Sequence, residues 1–220
     1  MQTTQRDSNP PSSAGSRAWR WIKRILLFIV LLIIGVALYI GYILWGPVVT
    51  SGELGGLAQE NIQGPVDAPV RIVEFGDFGC PSCRRWHRSG IKQQVTELFG
   101  DRVSFTYRHF PVISEYGVEA AIASQCAGEQ GAFWAYHDYL SEEAQGLSPP
   151  QLAGYAALLG LDTGAFETCA QSDSTRDYVE RDKRSALREG ARGTPAFFVN
   201  GRLVYNPSFE ELKTLIEDTQ

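Results

Sequence analysis

The chain has 220 residues, room for one generous domain or two small ones. Hydrophobic residues make up 44% and charged residues 20%, the composition of a globular protein with a real core. The net charge of −5 is unevenly spread: up to Trp45 five basic residues face one acid, and the remainder carries 15 basic against 24 acidic residues, a net of −9. An acidic body of that kind repels phosphate backbones and argues against a nucleic-acid partner.

Residues 1–18 are polar, with Pro10-Pro11 and several serines, and read as a short disordered cytoplasmic tail. Ile25 to Trp45 is an uncharged run of about 21 residues, which as a helix spans roughly the 30 Å hydrocarbon layer. Trp19 and Trp21 precede it, and Tyr39, Tyr42 and Trp45 close it, as interface-seeking aromatics do. The run exceeds the roughly 7–15 residues of a signal-peptide core, and no small-x-small cleavage site directly follows it. Residues 19–45 are therefore expected to be an uncleaved transmembrane signal anchor. Basic residues precede the span, and Glu53 and Glu60 follow it. The expectation is a single-pass protein of the cell membrane, with its N-terminus cytoplasmic and everything after Trp45 outside. All four cysteines then lie where disulfides persist. Residues 46–64, rich in glycine, read as a flexible linker.

The body is expected over 65–220. Val70-Arg71-Ile72-Val73-Glu74-Phe75 has the apolar, β-branched character of a buried central strand. A helix is predicted from about Cys80 to Gly100, carrying Trp86, Ile91, Val95 and Leu98 toward the core. Val103, Phe105 and Tyr107 alternate with polar neighbours and predict a second strand. Ser114 is a candidate cap for a helix through Cys126, and Ser148-Pro149 opens another with Leu152, Ala156 and Leu159 on one face. A charged helix is predicted from Asp173 or Ser174 to near Gly190. Ala196–Val199, Asn200-Gly201 and Arg202–Tyr205 form a hairpin pattern. Ser208-Phe209-Glu210-Glu211 is a capping box opening a last helix that buries Phe209, Leu212, Leu215 and Ile216. The order predicts an α/β domain with a mixed sheet.

Chemistry concentrates at Cys80-Pro81-Ser82-Cys83. Two cysteines three apart at the start of a helix lie on one face, close enough to bond. The first sits at the helix N-terminus, where unpaired N–H groups and the positive dipole end favour a thiolate. Pro81 suits the first turn because no helical hydrogen bond is lost there. Cys80 is thus expected to be the exposed, low-pKa nucleophile and Cys83 the more buried partner. A static disulfide and half of a zinc site are the bland alternatives; a zinc ribbon needs a second close pair, and Cys126 and Cys169 are far apart. His87, His109 and His137 form no metal spacing with the pair, and the histidines at 109 and 137 read as structural. No metal or cofactor is expected. Arg84, Arg85 and Arg88 read as a solvated face more than as a substrate clamp. Phe78 and Trp86 could line an apolar groove, though aromatics at such positions are usually core.

From about Pro65 to Gln220 the chain resembles the membrane-anchored, DsbA-like branch of the thioredoxin superfamily. The residues that carry the resemblance are Val73-Glu74-Phe75-Gly76-Asp77-Phe78 running into Cys80-Pro81-Ser82-Cys83, then Gly193-Thr194-Pro195-Ala196-Phe197 before the hairpin. Ala127 to Tyr139 is similar to the family's helical insertion, expected here over about 114–190. The resemblance implies a thioredoxin fold and a thiol:disulfide oxidoreductase with catalytic Cys80, Cys83, Glu74 and Pro195. It implies that Thr194-Pro195 is a cis peptide facing the cysteines, with Thr194, Pro81 and Ser82 touching substrate. It implies that Glu74 is buried beneath Cys83 and exchanges a proton with it, against the bland reading of an exposed end-of-strand carboxylate. Ser82 stands where the strongly oxidising members have histidine, so a somewhat weaker oxidant is expected; Thr194 replaces their valine. Related anchored members carry a second disulfide, implying that Cys126 and Cys169 are joined structurally, with two free thiols or a relay pair as alternatives. The implied partners are thiols of exported proteins and a quinone-linked membrane thiol oxidase, DsbB- or VKOR-like, with the protein acting as a monomeric oxidase. A reductase or isomerase with the same site, and a non-catalytic extracytoplasmic chaperone, are the alternatives.

Overall fold

The computed structural model describes residues 26, 27, 29–36 and 61–219. The chain divides into two units, Met1–Glu53 and Leu54–Gln220. In the first, residues 26, 27 and 29–36 are helical with exposed side chains. The expected tail, the rest of the expected anchor and the linker as far as residue 60 lie outside the described residues. No helix among the described residues is long and apolar enough to cross a membrane.

In the second unit, β1 (Ile62–Gln63), β2 (Val70–Gly76), β3 (Val103–His109), β4 (Ala196–Val199) and β5 (Arg202–Tyr205) form one sheet in the order β1-β3-β2-β4-β5. β2 and β3 are parallel, and the other pairs are antiparallel. The central strand is β2, with Ile72 and Phe75 fully buried on opposite faces, which is why it reads as a continuous apolar run. β1 falls inside the stretch read as linker. It is two residues long, held by backbone pairing to Thr106 and Phe105, and too short to show a period.

The crossover from β2 to β3 holds α1 (Pro81–Arg88) and α2 (Ile91–Phe99). A single helix was the expectation, because the apolar spacing continues across the join. The chain instead breaks at Ser89-Gly90, where Gly90 takes φ 72°, a left-handed conformation that ends α1 and redirects α2. The turn rotates Leu98 into solvent and brings Phe99 inward beside Val95.

Between β3 and β4 lie α3 (Gly117–Glu129), α4 (Phe133–Glu142), α5 (Pro149–Leu158), α6 (Thr163–Ala170) and α7 (Asp173–Glu189). α3 to α6 share a core that includes Ile122, Phe133, Tyr136, Leu140, Leu152 and Phe166. Ser148 and Gln151 form the capping box of α5. Ser114 does not cap α3, which begins after Tyr116; it bonds to Asp77 instead. α8 (Phe209–Glu217) follows the hairpin, capped by Ser208 Oγ accepting from the Glu211 N–H at 3.2 Å. α1, α2 and α8 bury Trp86, Val95, Leu212 and Ile216 against the Val70–Ile72 face of β2. On the opposite face Phe75 packs with Phe110, Ala186 of α7 and Phe198.

Candidate active site

Alternation along β2 sets the site. Glu74 shares a face with Val70 and Ile72, and in register it stands between Tyr107 of β3 and Phe197 of β4. The strand ends at Gly76, and the turn Asp77-Phe78-Gly79 delivers Cys80 to the N-cap of α1 with Pro81 in its first turn. The Asp77 carboxylate, 1% exposed, organises this turn. Its Oδ1 accepts from the Gly79 N–H at 2.9 Å and the Ser114 hydroxyl at 2.7 Å. Its Oδ2 accepts from the N–H groups of Val112, Ile113 and Ser114 at 3.0, 2.8 and 3.2 Å. The two loops approach so closely that a Cβ at residue 79 would collide with the Ser114 side chain, so glycine is required there.

Thr194-Pro195 is a cis peptide, and the Cys80 thiol donates to the Thr194 carbonyl at 3.4 Å. Cys80 and Cys83 are both free thiols and both buried, at 4% and 2% exposed, so Cys80 is not the exposed cysteine the sequence predicts: the Thr194-Pro195 segment packs against it. The Cys80 thiol is lowered from 9.0 to about 5. Its hydrogen bond with the Cys83 thiol is the largest cause; burial opposes it, and the Thr194 side chain and the backbone N–H groups of Cys83 and Ser82 add to the lowering. Cys83 moves strongly the other way, through the same hydrogen bond, then burial, then the charge of Glu74. The arrangement therefore holds one thiolate and one thiol, with the anion on the outer sulfur. The Ser82 hydroxyl accepts from Arg85 at 2.9 Å.

Glu74 is 4% exposed, which excludes the exposed end-of-strand reading. It is not isolated among apolar groups: its Oε1 lies 3.1 Å from Nε2 of His87. In the sequence His87 shows only that it makes no metal spacing with the cysteines, although Cys83 and His87 are four apart and share one face of α1. His109 and His137 are fully buried. Burial pushes them down to about 3 and about 4, so both are neutral packing groups near pH 7. Phe78 and Trp86 are core, stacked with Tyr107 and packed on Phe197 respectively. The apolar side chains exposed on the loop tied to Asp77 are Val112, Ile113 and Tyr116.

Arg85 and Arg88 are exposed, as a solvated face requires, whereas Arg84 is half-buried. Arg84 donates to the carbonyls of Leu140 and Ala144 at 2.9 and 2.7 Å, and Arg88 Nε donates to that of Glu142 at 3.0 Å. They cap the C-terminal end of α4 and dock α1 onto the helical block. Cys126 of α3 and Cys169 of α6 are joined by a disulfide. Among the described residues no group of three His, Cys, Asp or Glu side chains is placed to hold a metal ion.

A mixed sheet of this order, with a cysteine pair after its central strand and helices inserted ahead of the cis-proline strand, is the thioredoxin-superfamily fold in its DsbA-like form. Residues 58–218 match the family model described as thioredoxin, and the chain belongs to that family. It is similar to a thioredoxin-like oxidoreductase from Silicibacter pomeroyi, at 26% identity and a TM-score of 0.65, covering 71% of this chain and 90% of that one. It is similar to oxidised BdbD from Bacillus subtilis, at 25% identity and a TM-score of 0.65, covering 72% and 91%. The fold is shared with Wolbachia pipientis α-DsbA1, at 23% identity and a TM-score of 0.66, covering 77% and 96%. Among curated proteins the chain is 40% identical over 143 residues to a Na+/H+ antiporter NhaA of Herminiimonas arsenicoxydans, covering 65% of this chain and 22% of that protein. It is 37% identical over 153 residues to NhaA 3 of Salinispora tropica, covering 68% and 23%. The chain thus matches less than a quarter of the length of these relatives.

Proposed function

We propose that this chain is an extracytoplasmic thiol:disulfide oxidoreductase acting as an oxidase of exported proteins through Cys80 and Cys83. The observation that carries the reading is the inequality between the two sulfurs: Cys80 is lowered to about 5 and Cys83 pushed far up. A cysteine whose thiolate is that stable is a good leaving group, so the oxidised pair gives its disulfide away readily. A substrate thiolate attacks Cys80 Sγ, the Cys80–Cys83 bond breaks, and its electron pair goes to Cys83, which takes a proton. A second substrate thiolate then attacks the substrate sulfur, and Cys80 leaves as a thiolate. Two substrate thiols become one disulfide, and of their two protons one stays on Cys83 and one goes to solvent.

The cis Thr194-Pro195 bond presents the backbone of Thr194 to an extended substrate beside Cys80. In this reading residues 19–45 anchor the domain to the cell membrane, 46–64 tether it, and the Cys126–Cys169 bond is structural. A quinone-linked DsbB- or VKOR-like membrane oxidase reoxidises the monomer. The curated relatives are named as antiporters; the oxidoreductase reading rests on the cysteine site and not on that name.

The test is to mix oxidised protein with a reduced, unfolded thiol protein. The wild type should form disulfides in the substrate, and Cys83→Ala, first charged at Cys80 as a mixed disulfide with glutathione, should accumulate a mixed disulfide with the substrate as glutathione leaves. Absence of both products overturns the proposal.

A further inference from the structure

The exchange just described leaves a proton problem. When the Cys80–Cys83 bond breaks, the electron pair arrives on a sulfur that is 2% exposed and faces the negative field of Glu74. A thiolate cannot rest there, so a proton must reach Cys83 as the bond breaks, and must leave again when the pair is reoxidised. Glu74 is itself 4% exposed, on a strand covered by Trp86 and the α8 side chains. Its side chain keeps only 6% of its surface in contact with water.

We propose that His87 is the proton relay of this site, carrying protons between a polar surface cavity and the buried Glu74–Cys83 pair. The inference rests on the oxidoreductase reading and deepens it. His87 Nε2 lies 3.1 Å from Glu74 Oε1, with both side chains about 5% exposed (5% and 6%). The same imidazole lines a cavity of about 300 Å³ between α1, α2 and α4, whose rim carries the exposed side chains of Gln63, Glu97, Asp138 and Glu142. His87 is thus the one described side chain that both bonds to Glu74 and reaches this cavity.

The groups that face His87 leave the task to it. Tyr107 of β3, with its ring centre 6.5 Å away, is fully buried and its phenol is pushed well above its ordinary range. His137 of α4 lies ring to ring at 4.7 Å, but burial holds it neutral, and its Nδ1 is turned to Asp138 at 2.8 Å. Lys92 of α2 sits 3.8 Å above the Trp134 ring in the same cavity. Cys83 lies one turn earlier on α1. His87 acts through Glu74 and does not touch the substrate, so it is a positioning residue.

The experiment compares wild type, His87→Gln and His87→Ala in single-turnover reduction of the oxidised pair by a small thiol, from pH 5 to 8. Glutamine keeps a donor toward Glu74 but does not exchange protons near neutral pH. His87→Gln should slow cleavage of the Cys80–Cys83 bond on the order of 100-fold at pH 7 and flatten its pH profile. The Cys80 thiolate titration should stay unchanged. Added imidazole, which fits the cavity, should restore the His87→Ala rate several-fold. Wild-type rates in His87→Gln across the pH range overturn the relay, as does a His87→Ala rate that imidazole leaves unmoved. If His87→Ala does not fold, the His87→Gln profile decides alone. Failure of the relay leaves the wild type still oxidising its substrate, whereas failure of the oxidase reading leaves the wild type itself inactive.

Discussion

Asp77→Asn tests whether the loop behind the cysteines is held by one buried carboxylate. In the wild type that carboxylate accepts five hydrogen bonds, two on Oδ1 and three on Oδ2. Asparagine has the same shape but one acceptor oxygen. With that oxygen in the Oδ2 place, the bonds to Val112, Ile113 and Ser114 survive without the charge. The amide NH2 then faces the Gly79 N–H, donor against donor, while the Ser114 hydroxyl rotates to accept. One bond to a charged acceptor is lost, worth about 1.5–3 kcal/mol, and a half-buried N–H is left unpaired at about 1–3 kcal/mol. The expected loss is about 3–5 kcal/mol, a large part of the roughly 5–15 kcal/mol that holds a domain folded. Urea denaturation followed by tryptophan fluorescence should show a lower midpoint at unchanged slope. Because residue 79 precedes Cys80, the thiolate titration should also move. A variant within about 1 kcal/mol of wild type, with its thiolate titration unmoved, would refute the reasoning.

Other outcomes follow from the same geometry. Absorbance of the thiolate should titrate in the reduced protein with a midpoint of about 5, that of Cys80, and Cys80→Ser should abolish it. Since the folded Cys80 pKa lies below that of the unfolded chain, reduced protein should gain stability over oxidised protein as pH rises from about 5 toward 9, and lose that gain as pH falls through 5. Replacing Cys126 and Cys169 together by alanine releases a loop with a sequence separation of 43 residues. That should cost about 4 kcal/mol in thermal or chemical unfolding while substrate oxidation persists in the folded fraction. Arg84→Met strips two donors from the end of α4 and should cost about 2–3 kcal/mol in urea unfolding, with little change in the Cys80 titration.

The strands, the hairpin and the last helix are legible because their signals are local: a period of two, an Asn-Gly turn, a capping serine. The cysteine pair is legible because its spacing and Pro81 state the chemistry outright. What stayed hidden depends on tertiary geometry. The break at Ser89-Gly90 hides beneath an apolar spacing that runs on as though the helix were continuous. β1 is two residues of backbone pairing. Asp77 resembles any turn aspartate until β2 and the Val112–Ser114 loop are seen to meet on it. The capping role of Arg84 and Arg88 needs α4 in place. His87 was recoverable from its helical spacing to Cys83, but its partner Glu74 lies 13 residues away on another element.

The central claim is that Cys80–Cys83 is poised to give a disulfide away, and the reduction potential of that couple, measured by equilibration against glutathione, tests it most directly. A Cys80 value of about 5 falls between the roughly 3.5 of the strongest oxidants and the roughly 7 of thioredoxin. The expected potential accordingly lies between about −120 and about −200 mV. A potential near −270 mV or below, the range of thioredoxin, contradicts the oxidase and makes the same site a reductase.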